Sequence, residues 1–321
     1  MYVISLIFSQ IIISQNNITC EFCKKIITSK YIIDKDNKYH FDCYENHIQL
    51  KCDYCKKTIR GKYNKSENNN YHSICYKNNI LEKCDICYLP IEGKYIVDSW
   101  ENIYHEKHLN HLPSCESCNR IISKEITNGG YKINQKRDIC TLCWGYVVDE
   151  KSNVQAIYDD VIKKLNYVGI MDLPKNIPII LVNTKNDLKR LSKGNHGNIH
   201  GLTKHEFKVL EKKKVAQNFK IYILSHLHEI NFKAVLAHEI LHVYLFQNNI
   251  ELSPSYTEGF CNLGSQLVYN EDKSKISELK LKGMYLNKDP VYGEGFIKMN
   301  DLLIDKGWRG VLNFLNIKSK Y

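Results

Sequence analysis

Residues 20–43 read CEFCKKIITSKYIIDKDNKYHFDC, and the same arrangement returns along the chain. Residues 52–75 read CDYCKKTIRGKYNKSENNNYHSIC, and residues 84–108 read CDICYLPIEGKYIVDSWENIYHEKH. A fourth, more divergent copy runs from Cys115 to Cys143. The first cysteines of successive copies are 32, 32 and 31 residues apart, which indicates an internal repeat.

Each copy pairs a C-x-x-C unit with a second pair of cysteine or histidine residues. A unit of about 32 residues buries too little apolar surface to offset the entropy of ordering it, so it needs a cross-link to stabilise its fold. A zinc ion can provide this cross-link, because thiolate and imidazole ligands from two tight turns complete a tetrahedral site. A disulfide framework is the alternative, but it does not explain histidines at fixed positions in the repeat.

The sequence therefore predicts four structural zinc sites with two ligands from each pair. The predicted sets are Cys20, Cys23, His40 and Cys43; Cys52, Cys55, His72 and Cys75; Cys84, Cys87, His105 and His108; and Cys115, Cys118, Cys140 and Cys143. In the third set, His111 is an alternative to His108.

The composition changes after Tyr146, where cysteine disappears except for Cys261 and amphipathic segments begin. We therefore predict a repeat region over 20–145 and a second domain over 146–321. The spacing of apolar residues predicts a helix over 154–166 and strands over 177–182 and 220–224. The stretch 193–205 is rich in Gly, Asn and His and predicts an exposed loop. On that interpretation its three histidines are solvent-exposed side chains and not metal ligands: His196, His200 and His205.

Residues 231–247 read NFKAVLAHEILHVYLFQ, a predicted helix that carries the motif H-E-x-x-H at 238–242. The spacing places His238 and His242 on one helical face, where both imidazoles can hold one metal ion and Glu239 can reach a water on it. The apolar neighbours predict a buried helix, in which unpartnered polar groups would be costly. Sixteen residues after His242 comes Glu258, in a second predicted helix, and a glutamate so placed is the usual third ligand of gluzincin zinc peptidases.

The combination of these motifs resembles a known family. The repeats are similar to LIM-type zinc fingers, and they are followed by LAHEILHVYL (236–245), LSPSYTEGFCN (252–262) and DPVYGEGFIKMNDLL (289–303). Over roughly Cys52 to Leu303 this resembles the LIM-domain zinc peptidases of plant organ-size control, the DA-one family. The chain departs from the LIM pattern in one respect, since eight residues separate Cys43 from Cys52 where a LIM domain has two. Nineteen residues precede Cys20, so the ubiquitin-interacting segments of the plant members are not expected here.

The resemblance implies an α+β chain in which tandem LIM-like β-hairpin modules precede a gluzincin-like zinc metallopeptidase domain. It implies that His238, His242 and Glu258 hold one catalytic zinc, that Glu239 is the general base, and that the substrates are proteins. Strand 220–224 would then be the edge strand on which a peptide pairs. Tyr292 and His228 are the candidates for stabilising the oxyanion, and Cys261 is expected to be a small packing residue.

We therefore expect a zinc-dependent endopeptidase whose LIM-like modules bind proteins, with one catalytic and four structural zinc ions. The alternative is a non-catalytic LIM-like scaffold. The formal net charge of +10 falls to roughly +6 once zinc-bound thiolates are counted, so nucleic acid is not an expected partner, although a DNA-binding zinc-finger protein remains a rival.

The amino-terminal residues 1–15 read MYVISLIFSQIIISQ, which is too short to span a bilayer of about 30 Å. The segment resembles the apolar core of a secretory signal peptide, although it lacks an initial Lys or Arg. It predicts a secreted or periplasmic protein with no membrane span. The alternative is a buried strand or helix in a cytoplasmic protein.

Overall fold

The computed structural model describes residues 18–192, 200–210 and 213–318. The predicted signal segment 1–15 and His196 lie outside these residues. The chain is a mixed α+β protein with small antiparallel hairpins towards its amino terminus and long helices towards its carboxyl terminus. Among the described residues, no helix has the length and apolar composition needed to cross a membrane.

Four antiparallel hairpins form the modules, as the repeat predicts. They are β1 (Tyr31–Asp34) with β2 (Asn37–His40), β3 (Tyr63–Ser66) with β4 (Asn69–His72), β5 (Tyr95–Val97) with β6 (Ile103–His105), and β7 (Gly130–Asn134) with β8 (Arg137–Cys140). Short helical turns follow or precede them: α1 (Phe41–Cys43) with a π turn over Tyr44–Ile48, α2 (Ser73–Asn79), a 3-10 turn over Glu106–Asn110, α3 (Lys124–Thr127) and α4 (Thr141–Trp144).

The remaining elements surround a long buried helix. In chain order they are β9 (Val147–Val148), α5 (Val154–Tyr167), β10 (Ile179–Val182), α6 (Lys185–Ser192), β11 (Gly201–Leu210), β12 (Lys213–Leu224), β13 (Leu227–His228), α7 (Glu229–Gln247), α8 (Pro254–Asp272), α9 (Lys275–Leu286) and α10 (Gly293–Lys318). Helix α10 is kinked at Gly307, whose φ is 63°. Helix α7 is buried on nearly all sides and packs against α5, α8 and the sheet.

The helix predicted over 154–166 and the strand predicted over 177–182 are confirmed as α5 and β10. The prediction that 220–224 is an edge strand is wrong. The sheet has the order β10-β12-β11, with β12 parallel to β10 and antiparallel to β11, so residues 220–224 lie in its central strand. The loop prediction is also wrong from Gly201 onward, because residues 201–210 pair with β12 as a terminal strand of the described sheet.

Two compact units divide the chain. One extends to Cys84 and includes Tyr88–Gly93, and the other contains Asp85–Cys87 and everything from Lys94 onward. The fourth module therefore belongs to the same unit as α7, whereas the sequence places a boundary at residue 146. That boundary stays a prediction.

Helices α8 and α10 approach each other so closely that only glycine fits at their contact. A Cβ atom on Gly259 would lie 2.2 Å from the carbonyl oxygen of Gly295, and a Cβ on Gly295 would lie 2.2 Å from the carbonyl oxygen of Ser255. Since these are rigid backbone atoms, an added methyl group could be accommodated only if the two helices moved apart.

We predict that Gly259→Ala lowers the free energy of unfolding by about 1–3 kcal/mol, because it forces α8 away from α10. Gly283→Ala is the matched control, since Gly283 also lies within a helix but a Cβ atom added there would have no neighbouring atom within 4 Å. This control should raise the free energy of unfolding by about 0.4–1 kcal/mol through the unfolded state. Denaturant unfolding of both variants measures the difference, and equal stability would contradict the packing described for α8 and α10.

Candidate functional site

The four predicted ligand sets come together in the structure. In each set the Sγ atoms and one imidazole nitrogen per histidine lie within 4.8 Å of one another, and the third set contains His108 and not His111. All thirteen cysteines lie in the described segments, and none of them forms a disulfide. The donors are thiol sulfur and imidazole nitrogen, which are the ligands that zinc prefers.

The C-x-x-C turns share one backbone geometry that aims both thiols inward. The residue after the second cysteine has a left-handed backbone, and its amide donates to the carbonyl oxygen of the first cysteine at 2.8–2.9 Å. These residues are Lys24, Lys56, Tyr88 and Asn119, with φ between 58° and 62°. Such a turn presents two ligands on one side.

Backbone amides also favour the thiolate form of the first cysteine. The amide of His72 lies 3.4 Å from Sγ of Cys52, and that of His40 lies 3.4 Å from Sγ of Cys20. Burial raises the pKa of Cys52, but the amides of Cys55, His72 and Tyr54 outweigh it and lower the pKa to about 6. The thiol is therefore prepared to act as an anionic metal ligand.

The histidines of the modules are oriented by their second ring nitrogens. In His40 and His72, Nδ1 lies 3.4 and 3.3 Å from a cysteine Sγ, while Nε2 lies 3.2 and 3.0 Å from a backbone carbonyl oxygen. A ring that donates from Nε2 leaves the Nδ1 lone pair for a metal, which is the usual second-sphere arrangement. In the third set, Nε2 of His108 is buried with no hydrogen-bond partner, as a nitrogen that serves a metal would be.

A second kind of cluster lies on helices α7 and α8. The Nε2 atoms of His238 and His242 are 3.2 Å apart, which confirms that the motif places both imidazoles on one face. The carboxylate of Glu258, from α8, lies 3.2 Å from Nε2 of His238 and 3.7 Å from Nε2 of His242. Burial raises the pKa of Glu258, but the two imidazoles outweigh it and hold that pKa well below its usual range.

This donor set fits a zinc ion. Two imidazole nitrogens and one carboxylate converge, and Oε2 of Glu258 is buried without a hydrogen-bond partner apart from its contact with His238. Three protein ligands of these types leave a fourth position for water, which is the composition of catalytic zinc sites and not of closed structural ones.

Cys261 is a further candidate ligand, whereas the sequence predicts a packing residue. Its Sγ lies within 4.8 Å of a nitrogen of His238 and of His242, and its side chain is fully buried. Burial, with the carboxylates of Glu258 and Glu239, raises the pKa of this thiol well above its usual value. Glu258 is already ionised, whereas the thiol of Cys261 would have to lose its proton in surroundings that disfavour the thiolate. We therefore favour Glu258 as the third ligand.

The first histidine of the motif is held by an asparagine that the sequence reasoning missed. Nδ1–H of His238 donates to Oδ1 of Asn262 at 3.0 Å, and Nδ2–H of Asn262 donates to the carbonyl oxygen of Tyr292 at 3.1 Å. This fixes the ring with Nε2 towards Glu258. Asn262 is four residues after Glu258 in α8, so the helical spacing was the available signal.

Glu239 is 6% exposed and lies against the edge of β11. Oγ1 of Thr203 is 2.8 Å from Oε2 of Glu239 and 2.9 Å from its backbone oxygen. A Cβ on Gly201 would lie 2.7 Å from Oε1 of Glu239, so glycine makes room for the carboxylate there. Neither Thr203 nor Gly201 was identified from the sequence, because both lie in the stretch predicted to be a loop.

A cavity of about 600 Å³ opens beside these groups. Its lining comes from the start of β11 and the residue before it, from α7 and α8, and from the end of α9, the start of α10 and the segment between them. The lining residues are His200, Gly201, Leu202, Thr203, Val235, His238, Glu239, His242, Phe246, Glu258, Asn262, Ser265, Met284, Asn287, Asp289, Tyr292 and Phe296. Tyr292 is thus at the cavity, as its candidate role requires. His228 does not line it; this ring accepts from the amide of Ile230 at the start of α7 and stacks on Tyr146.

Two of the three histidines predicted to be exposed, His200 and His205, are described by the structure, and neither lies in a solvent-exposed loop. His200 lines the cavity, and burial lowers its pKa to about 4, which keeps it neutral at pH 7. His205 lies in β11 with its ring stacked on Phe219 and Phe246, at 4.9 Å between centroids in both cases. Neither belongs to a metal-ligand group found among the described residues.

Comparison of this chain with known protein families and with curated proteins finds no match.

We predict that Glu258→Ala lowers the zinc content by about one ion per chain, while Cys261→Ala leaves it unchanged, since Glu258 supplies an ionised oxygen to the site. Elemental analysis of both purified variants and of the parent makes the comparison. Loss of an ion in Cys261→Ala with retention in Glu258→Ala would reverse the assignment of the third ligand.

Proposed function

We propose that the protein is a zinc-dependent endopeptidase of the gluzincin type, similar in organisation to the DA-one family. The observation that carries the proposal is the placement of Glu239, a buried carboxylate next to the converging imidazoles and Glu258, at the wall of a cavity that a strand edge also lines. A purely structural metal site has no use for such a group.

His238, His242 and Glu258 would hold the ion. When bound, zinc polarises a peptide carbonyl and makes a coordinated water more acidic. Glu239 takes the proton from the attacking water and returns it to the leaving amine. The hydroxyl of Thr203, 2.8 Å from Oε2, keeps the carboxylate in place for both transfers.

Tyr292 is the better of the two candidates for stabilising the negative oxygen that develops. Burial, with the carboxylates of Glu258 and Glu239, raises its pKa to about 12, so the phenol keeps its proton and can donate a hydrogen bond. His228 is occupied at the start of α7 and is withdrawn from this role.

The substrate strand would pair with β11. This strand is terminal in the described sheet, and Gly201, Leu202 and Thr203 line the cavity next to Glu239. An extended peptide that adds to such an edge gains backbone hydrogen bonds and presents its carbonyl groups along the cavity. We therefore propose β11, and not residues 220–224, as the strand on which a peptide pairs.

The hairpin modules are assigned to protein binding, as LIM-like units, with one structural zinc ion in each of four clusters and one catalytic ion. Protein substrates and protein partners are expected, and the apolar segment 1–15 supports export.

A non-catalytic scaffold is the second candidate, and Cys261 favours it. If His238, His242, Glu258 and Cys261 all ligated one ion, the site would be closed and structural, without a position for water. The modules would then recruit a partner, and the metal at α7 would have only a structural role.

Glu239→Gln distinguishes the two candidates. The amide keeps the volume and can bond to Thr203, but it cannot accept a proton, so peptide cleavage should fall by about 10²- to 10⁴-fold with unchanged zinc content. Glu229→Gln, at the exposed start of the same helix, is the matched control and should retain full activity.

Cleavage of a panel of unfolded proteins, followed by sequencing of the new termini, provides the assay. Equal cleavage by Glu239→Gln and the parent would remove Glu239 from the mechanism. No cleavage by the zinc-loaded parent would instead favour the scaffold.

A further inference from the structure

Arg137, in strand β8 of the fourth module, is 3% exposed, and its positive charge is paired with the carboxylate of Glu116. Its Nε donates to Oε2 of Glu116 at 2.6 Å, and Glu116 lies inside the C-x-x-C turn of the same module. The other oxygen of Glu116 is 2.8 Å from Nζ of Lys185 in α6. A partly buried ionic network therefore includes the turn that supplies two of the four thiols.

The rest of the guanidinium group contacts the sheet that supports α7. Nη2 donates to the carbonyl oxygen of Ser225 at 2.7 Å, and Nη1 donates to that of Asn183 at 3.3 Å. Asn183 directly follows β10 and Ser225 directly follows β12, and Oγ of Ser225 donates to Oδ1 of Asn183 at 2.9 Å. One side chain thus joins the fourth module to the carboxyl ends of two adjacent strands.

The chain that leaves the fourth module also shapes the start of α7. Strand β9 pairs with β13, and the amide of Glu229 donates to the carbonyl oxygen of Tyr146 at 2.7 Å. The ring of Trp144 stacks on His226, and that of Tyr146 stacks on His228. Trp144 is the residue after Cys143, so the last predicted ligand of the cluster is directly followed in the chain by a residue that makes these contacts.

We propose that the fourth cluster controls the order of the helix that carries the H-E-x-x-H motif, with Arg137 as the positioning residue that connects them. Without metal, a hairpin of this size lacks the core to keep its turns folded. Glu116 would then no longer hold Arg137 against Asn183 and Ser225, and the segment that starts α7 would open. The inference rests on metal binding by Cys115, Cys118, Cys140 and Cys143 and is independent of peptidase activity.

The test compares Cys143→Ser with Cys75→Ser, which removes the corresponding last ligand of the second module. Hydrogen exchange followed by mass spectrometry reports amide protection over residues 225–231, and elemental analysis reports zinc in each protein. We expect exchange in this segment to be at least about tenfold faster in Cys143→Ser and unchanged in Cys75→Ser, although both lose zinc. Equal protection in the two variants would overturn the proposal.

A second pair of variants keeps every ligand and so applies even if Cys143→Ser does not fold. Arg137→Lys retains the charge beside Glu116 but cannot donate to Glu116, Asn183 and Ser225 together. Exchange over 225–231 should rise about tenfold with zinc content unchanged, as expected when a charge-assisted hydrogen bond is lost.

Arg120→Lys is the matched control, because Arg120 lies over the Trp100 ring in the same unit and Arg120 makes no hydrogen bond to the strands in the part of the chain described. Unchanged protection in Arg137→Lys, or an equal rise in Arg120→Lys, would contradict the positioning role. Since neither measurement uses peptide cleavage, an inactive parent protein would leave this result standing.

Discussion

The first two hairpin modules cannot bury enough apolar surface to hold themselves together, and this constraint governs the amino-terminal part of the chain. In the first module the buried cluster consists of Cys20, Ile27 and Tyr39, and the second repeats it with Cys52, Ile59 and Tyr71. A buried Ile or Tyr contributes about 1.5–3 kcal/mol, whereas ordering each residue costs about 1–2 kcal/mol. Metal coordination by the converging thiols and imidazoles would offset the difference.

Helix α7 carries polar side chains in a buried position, and this arrangement needs compensation from neighbouring groups. This helix is apolar and buried, so His238, Glu239 and His242 would be costly in it unless each had a polar partner. The structure supplies one for every group: Asn262 and Glu258 for the imidazoles and Thr203 for the carboxylate. Side chains held by such partners are preorganised, which is the property that the proposed catalytic centre requires.

Much of this could be predicted from spacing alone. The repeat period, the four ligand sets and helices α5 and α7 follow from local patterns that the tertiary fold preserves. Strand β11 was missed because its polar sequence at a sheet edge resembles a loop, and that error concealed Gly201 and Thr203. Arg137 and Cys261 have roles that depend on which distant elements pack beside them, so no local pattern indicates them. The strand order of the sheet could not be predicted from the sequence for the same reason, since it depends on how distant elements pack.

We propose that the four cysteine-containing ligand sets and the α7–α8 cluster all bind zinc. X-ray data collected from a crystal on either side of the zinc absorption edge show which clusters contain zinc. We expect five anomalous peaks per chain, one within each cysteine-containing set of the four modules and one between His238, His242 and Glu258. Continuous density between paired sulfur atoms with no peak at the modules, or no peak beside His238, would contradict it.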